Sequence, residues 1–229
     1  MFLSLSGVIG KTQTEVEKSL NNYSLSAGGG FQKENLKNEH TNFCVIKEAN
    51  ANTTVFYPSG YLEWDKSSAF ISKELNAPVF SFHIHDGDLW MYVLYFNGEI
   101  VDQFNPIPDY WDDEISDKEI ESWKGSAEII KKYIPKVDAE SIRKYLVRWD
   151  LNNEGEKAYD NDQFTNEDWQ FIDFMNKIGL PYPIDDAGNA AGPVYRLWTK
   201  ELKSVPVEIS KPITESKAEP AKNWWEFWK

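Results

Sequence analysis

The sequence predicts an α+β fold in which antiparallel strands come first and most helices come later. Residues 79–104 alternate with a period of two and contain two dipeptides typical of tight hairpins, whereas apolar residues after about 115 recur with the helical period. No regular strand–helix–strand repetition occurs, so a doubly wound parallel sheet is not expected. We therefore expect an antiparallel sheet packed with helices, and a mainly helical C-terminal half.

The segment before residue 79 predicts three strands and two helices. "MFLSLSGVI" alternates like a strand, and "NFCVIKEA" and "TTVFYP" are rich in β-branched and aromatic residues. A helix is expected after the first strand, because Thr12 and Glu15 have the spacing of a capping box. Gly28, Gly29 and Gly30 then predict a turn, and a second helix is expected within "LEWDKSSAFISKEL".

The stretch "PVFSFHIHDGDLWMYVLYFNGEIVDQF" predicts a three-stranded antiparallel meander near 79–104. Two-residue turns are expected at Asp86-Gly87 and at Asn97-Gly98. With a two-residue first turn, His83 faces Trp90 and His85 faces Asp88. The face directed toward the core then carries the following residues: Phe80, Phe82, Ile84, Leu89, Met91 and Val93.

Helices and one more strand are expected in the rest of the domain. A capping box at Ser116 and Glu119 begins an apolar stripe that continues to Ile134. A second helix follows Asp138 and presents one apolar face as far as Trp149. A third helix is expected from about Thr165 to Gly179, and "VYRLWT" has the composition of a last strand.

Composition changes near residue 205 and divides the chain into three parts. Residues 1–204 are expected to form a single α+β globular domain. The segment 205–222 contains three prolines, no aromatic residues and alternating charges, which is typical of a disordered linker. Residues 223–229, "NWWEFWK", form an aromatic C-terminal peptide.

The charge of the chain excludes one class of partner and favours another. The net charge is -13, so nucleic acid is not an expected partner, because phosphate binding requires clustered lysine and arginine. Acidic residues concentrate in 109–121 and in 150–173. These segments are either solvated faces or surfaces complementary to a basic partner, and in the second case Asp112, Asp113 and Glu114 are the expected contacts.

The terminal aromatic residues predict a docking peptide. Trp224, Trp225, Phe227 and Trp228 would gather on one side of a single helical turn, and tryptophan anchors contribute strongly to protein interfaces. Two alternatives remain open. The peptide folds back onto its own domain, or it makes interfacial contact with a bilayer, although it has no basic excess to hold it there.

The sequence favours a cytoplasmic protein that does not span a membrane. The N-terminus has no basic residues before its short apolar start, and nowhere do eighteen apolar residues follow one another. Cys44 is the single cysteine and cannot form an intramolecular disulfide, which agrees with a reducing compartment.

Two motifs resemble ligand-binding patterns only in part. "SGVIGKT" ends like a phosphate-binding loop, but Leu5 stands where the first glycine is required, so a capped helix start is expected and no cofactor is predicted. "DLNNEGEKAYDN" places Asp150, Asn152 and Glu154 at calcium-ligand positions of an EF-hand loop, but Asn161 replaces the bidentate glutamate.

His83 and His85 are the remaining candidates for metal ligands. They alternate to one face of a strand in "HIHDGD", and imidazole is a common zinc ligand. The chain contains only one other histidine, His40, so a hydrolytic metal centre lacks ligands. A hairpin with a structural role is the simpler interpretation, and no catalytic residue can be assigned.

These patterns together favour a non-enzymatic protein-binding module of adaptor or inhibitor type. The alternatives are a metal-dependent hydrolase that uses the His83/His85 hairpin, and an immunity-type inhibitor of a basic toxin. A small acidic α+β protein without a catalytic signature is similar in type to bacterial inhibitor or immunity proteins.

Overall fold

Eight strands form one antiparallel sheet, as found in a computed structural model that describes residues 3–36, 41–85, 89–110, 114–149 and 170–202. The spatial order is β2-β8-β3-β4-β1-β5-β6-β7. The strands are β1 Leu3–Val8, β2 Gly30–Glu34, β3 Cys44–Ala49, β4 Asn52–Phe56, β5 Val79–His85, β6 Leu89–Phe96, β7 Glu99–Phe104 and β8 Val194–Trp198.

Helices accompany the sheet in the order that the sequence predicts. The described helices are α1 Gln13–Ser26, α2 Trp64–Leu75, α3 Asp117–Ser122, α4 Ala127–Tyr133, α5 Ala139–Arg143 and α6 Gln170–Lys177. The α+β class is therefore confirmed. Within the described ranges, no helix combines the length and apolar character that crossing a bilayer requires.

Both faces of the sheet are buried. On one face, Val16 and Leu20 of α1 and Ile71 of α2 belong to a core that also contains Val55 and Val79. The opposite face packs against α4, α5 and α6, whose core residues include Ile130, Ile142 and Phe174. Because strand side chains alternate between faces, β5 contributes Val79 to the first core and Phe80 to the second, and β6 is apolar along its whole length.

The capping predictions are confirmed at both expected helix starts. The Thr12 side chain accepts from the Glu15 N–H while the Glu15 carboxylate accepts from the Thr12 N–H, and Ser116 and Glu119 exchange the same pair of bonds. Such boxes satisfy donors that the first helical turn leaves free.

The register of the first hairpin differs from the prediction by one residue. His85 pairs with Leu89 and Ile84 pairs with Trp90, so three residues, 86–88, connect the strands, and they lie outside the described part of the chain. The prediction was wrong because β6 is apolar on both faces, so its pattern cannot select the register. Residues Trp90, Tyr92 and Leu94 of β6 therefore share the face of Phe80, Phe82 and Ile84.

The second hairpin has the predicted two-residue turn. Phe96 pairs with Glu99, and the two residues between them have positive φ angles of 53° at Asn97 and 82° at Gly98. A type I′ turn requires positive φ at both central positions, which asparagine and glycine tolerate.

The long helix expected from Ser116 to Ile134 is instead two helices. Gly125 has a φ of +68° and separates α3 from α4. The next helix, α5, ends at Arg143 and does not continue to Trp149. The apolar period continues across the break although α3 buries none of its residues, so the pattern alone did not reveal the interruption.

The last strand is confirmed, whereas β2 was not predicted. The glycine-rich turn leads directly into β2 at Gly30, and the "VYRLWT" segment forms β8 between β2 and β3. The described part of the third expected helix is α6, which ends at Lys177. Gly179, two residues later, has a φ of +80°. The expected boundaries at 204 and 222 remain predictions, because residues 203–229 lie outside the described part.

Candidate functional site

Strand β7 lies at one edge of the sheet and is only partly covered. It pairs with β6 on one side, and on the other side the segment 123–124 approaches its C-terminal end. There the Asn105 N–H donates to the Trp123 carbonyl at 2.9 Å. The part of β7 before Phe104 has no strand partner on its outer side among the described residues, and Ile100 in it is 56% exposed.

A groove of about 360 Å³ lies beside this edge. We call it the β7 groove, and its lining consists of Ile100, Val101, Asp102, Gln103, Glu121, Ser122, Lys124, Gly125, Ser126 and Ile129. One wall is β7 and the other is the junction between α3 and α4. A volume in this range is typical of sites that receive a ligand or a few side chains.

Asp102 connects the two walls of the β7 groove. Its Oδ2 accepts from the Tyr92 hydroxyl at 2.6 Å and from the backbone N–H of Ser126 at 3.0 Å. Ser126 is the N-cap of α4, so the carboxylate holds the start of this helix beside the strand. Burial raises the pKa of Asp102, while the hydrogen bonds from Tyr92 and Ser126 act in the opposite direction.

Acidic residues surround α3, and one of them, Glu121, lines the β7 groove. Glu114, Asp117, Glu119 and Glu121 are exposed around α3, and of these Glu121 forms an ion pair with Lys124. Hydrogen bonds from the hydroxyl and the backbone N–H of Ser116 lower the pKa of Glu119, so this carboxylate is ionised at neutral pH. The predicted contact Glu114 is exposed shortly before α3, while its neighbours Asp112 and Asp113 lie outside the described residues.

No family model, curated protein or solved structure matches this chain. Its function must therefore be argued from the geometry of its own residues.

His83 and His85 lie on the α2 face of the sheet in an aromatic environment. The His83 ring stacks on Trp64 with ring centroids 4.9 Å apart, and its Nδ1 lies 3.2 Å from the Ser4 hydroxyl oxygen. His85 is 6.4 Å from His83 and 5.7 Å from Tyr110, measured between ring centroids. The predicted cross-strand pairs, His83 with Trp90 and His85 with Asp88, are wrong. The register places Met91 opposite His83 and Leu89 opposite His85.

Burial and a neighbouring imidazole account for the electrostatics of His83. Burial, assisted by the charge of His85, lowers the pKa of His83 to about 4. Ser4 lies on a central strand, and its carbonyl accepts from the backbone N–H of Tyr57. The Ser4–His83 contact was not foreseen from the sequence, because it joins residues 79 positions apart. In the described ranges, His, Cys, Asp and Glu side chains form no group of three or more that could hold a metal ion.

The depressed pKa of His83 predicts a loss of stability in mild acid. The unfolded chain takes up a proton near pH 6.5 and the folded chain only near pH 4, so the free energy of unfolding decreases as the pH falls between these values. At pH 5 we expect a loss of about 1–2 kcal/mol relative to pH 7.5, after allowance for the partial exposure of the ring.

Urea denaturation of wild type and a His83→Gln variant at both pH values measures this effect. The change in the free energy of unfolding between the two pH values is compared between the two proteins, so that contributions from other titrating groups cancel. We expect the variant to lose less stability than the wild type on acidification. Parallel pH profiles for wild type and His83→Gln would contradict the assignment.

The start of α1 is a capped helix terminus, as predicted. The Gln13 N–H donates to the Glu48 carboxylate at 2.6 Å, and the Thr12 N–H donates to Glu15 at 2.9 Å. Two carboxylates thus occupy the positions where an anion would bind, and they would repel a phosphate.

Cys44 has the properties of a core residue. It is fully buried, and this burial raises the pKa of its thiol well above the usual range. The remaining candidates lie outside the described residues: Asp150, Asn152, Glu154, Trp224, Trp225, Phe227 and Trp228.

Proposed function

We propose that this chain is a non-enzymatic protein-binding module, of adaptor or inhibitor type, that acts in the cytoplasm on a basic protein partner. The observation that carries the proposal is the partly uncovered β7 edge, with an exposed isoleucine and a groove bordered by carboxylates. Edge strands of this kind are frequent sites of protein association.

Electrostatics support a basic partner. The exposed residues between 114 and 124 include two lysines and four carboxylates: Lys118, Lys124, Glu114, Asp117, Glu119 and Glu121. Asp112 and Asp113 immediately precede Glu114 in the sequence and add two carboxylates to this acidic segment. Such a face accelerates association with a positively charged protein, and its effect weakens as salt is added.

The terminal aromatic residues would provide a second contact. Trp224, Trp225, Phe227 and Trp228 follow a segment with the composition of a flexible tether, so a partner held at the acidic face would meet them at high effective concentration. This two-contact arrangement suits an inhibitor of a basic toxin as well as an adaptor.

A pull-down from native lysate tests the proposal and identifies the partner. The full-length chain is compared with a chain that ends at Ser204, which retains β8. We expect the full-length chain to capture a basic protein, and the shortened chain to capture less of it. Capture of no protein with a basic surface by either chain would contradict the proposal.

Charge reversal in the acidic segment 109–121 measures its contribution to binding. Asp113→Lys/Glu114→Lys is expected to weaken binding of the captured partner by about 10-fold or more and to reduce its salt dependence. Asp186→Lys/Glu201→Lys is a matched control, because it changes the net charge equally at exposed positions outside the acidic segment 109–121. Equal effects of the two double variants would exclude a localised acidic contact.

The metal-dependent hydrolase remains an alternative proposal. It requires ligands in addition to His83 and His85, and zinc analysis of the purified protein tests it. Stoichiometric zinc that is lost in a His83→Ala variant would favour the hydrolase over the binding module.

A further inference from the structure

After β8, the last described residues form a turn beside the start of β2. The Thr199 N–H donates to the Leu202 carbonyl at 2.8 Å, so the chain reverses its direction directly after β8. The Lys200 N–H donates to the Ala27 carbonyl at 2.9 Å, which places this turn next to the residues that lead into β2. Both sides of β8 are already occupied, by β2 and by β3. A strand that continued from this turn would therefore run parallel to β2, along the outer edge of β2.

The backbone of β8 bonds alternately to its two neighbouring strands. The Ile46 N–H donates to the Pro193 carbonyl at 3.1 Å, so Pro193 bonds toward β3. The bonding direction alternates along a strand, and Arg196, three residues later, therefore bonds toward β2. There it pairs with Gln32, whose N–H and carbonyl are thus used within the sheet.

The residues on either side of Gln32 direct their backbone groups outward. These residues, Phe31 and Lys33, lie on an edge that has no strand partner among the described residues. The Phe31 ring stacks on Tyr195 with centroids 4.7 Å apart, and the Lys33 Nζ lies 5.9 Å from the centroid of the same ring. Two N–H groups and two carbonyl groups thus remain available to a further strand.

The segment "VPVEI", residues 205–209, has the pattern of an edge strand. Its three apolar residues alternate with Pro206 and Glu208. Proline has no N–H to donate and is accepted in a sheet where that position faces solvent. If Val207 bonds to β2, Pro206 and Glu208 both face away from the sheet, so the proline removes no bond.

We propose that residues 205–209 add to the outer edge of β2 as a ninth, parallel strand. In this register the Val207 N–H donates to the Phe31 carbonyl, and the Val207 carbonyl accepts from the Lys33 N–H. The residues at the two ends of the segment bond to the remaining two groups. The inference does not depend on the proposed function, and it shortens the linker expected from composition to 210–222.

This register places the apolar side chains of the segment on the face of β2 that carries Gln32. At one end of that face the Trp198 ring lies over Gly30, where an added Cβ would be 2.4 Å from the ring. At the other end Leu36 packs against the core and is only partly buried. Valine and isoleucine beside these side chains would bury further apolar surface.

The short connection favours this segment over other occupants of the edge. Lys203 and Ser204 alone separate it from Leu202. The outer side of β2 is two strand spacings, about 10 Å, from β8, and the turn at 199–202 already covers part of that distance. A segment on so short a tether has an effective concentration at β2 in about the millimolar range, which a second copy or a partner strand would have to exceed.

Residue-resolved hydrogen exchange tests the proposal. In the full-length chain we expect the amides of Phe31 and Lys33 to be protected, as that of Gln32 is by β8. In the chain that ends at Ser204 we expect the Phe31 and Lys33 amides to exchange at least about 10-fold faster, with little change at Gln32.

Two proline variants of the full-length chain test the register. Val207→Pro removes an N–H that donates to β2, whereas Glu208→Pro removes one that faces solvent. We expect Val207→Pro to accelerate exchange at Phe31 and Lys33 by about 10-fold or more, and Glu208→Pro to leave it nearly unchanged.

Three results would overturn the proposal. The first is fast exchange of Phe31 and Lys33 in the full-length chain, which would mean that the edge is open. The second is equal protection in the chain that ends at Ser204, and protection that increases with protein concentration would then identify a second copy as the occupant. The third is an equal effect of Val207→Pro and Glu208→Pro.

Discussion

Phe174→Ala is expected to lower the free energy of unfolding by about 3–5 kcal/mol. Phe174 is fully buried at the centre of the core between the sheet and α6. Its ring is stacked with Tyr92 at 5.8 Å and lies 5.0 Å from Trp90 and 5.8 Å from Tyr145, measured between centroids. Alanine would remove these contacts and leave a cavity that rigid aromatic neighbours cannot fill.

Guanidinium denaturation of wild type and variant measures the change. Ile172→Ala on the same helix is the matched control, because Ile172 is only partly buried and its truncation is expected to cost about 1 kcal/mol. Similar losses for the two variants would contradict the central position of Phe174.

Gly29→Ala is expected to destabilise the chain by about 2–4 kcal/mol and to loosen the pairing of β2 with β8. A Cβ at position 29 would lie 1.8 Å from the Trp198 carbonyl oxygen, so the two backbones would have to separate. The Gly29 N–H also donates to the Ser24 carbonyl at 2.8 Å, which fixes the path from α1 into β2.

Thermal unfolding together with hydrogen exchange of the β2 amides measures this effect. Gly10→Ala is the control, because Gly10 has a φ of +69° but no atom within 4 Å of the place that an alanine methyl group would occupy. Only the left-handed backbone penalty of about 1 kcal/mol is therefore expected there. If Gly29→Ala were no worse than Gly10→Ala, the close approach to Trp198 would be refuted.

Features set by neighbouring residues could be predicted from the sequence. The capping boxes at Thr12 and Ser116 and the Asn97-Gly98 turn depend on residues a few positions apart, and all three are confirmed. The fold class could also be predicted, because the spacing of apolar residues differs clearly between helices and strands over long segments.

Features set by distant contacts could not be predicted. The register of β5 with β6 depends on which face packs against α6, and β2 becomes a strand because β8 pairs with it. The acidic segment near Glu114 was identified from composition. The β7 groove was not identified from the sequence. In the sequence Asp102 is an ordinary strand residue, and its contacts with Tyr92 and Ser126 depend on the folded structure.

The position of β8 between β2 and β3 constrains the order of folding. Gly30 pairs with Trp198, so the sheet is completed only after most of the chain has been brought together. The β5–β6–β7 meander can form early because its strands are neighbours in the sequence. Strand β2 can pair only after β8 has reached it, and closing the long loop between these two strands carries a large entropic barrier. We therefore expect a slow last folding phase in which the amides of β2 and β8 gain protection together, after those of the meander.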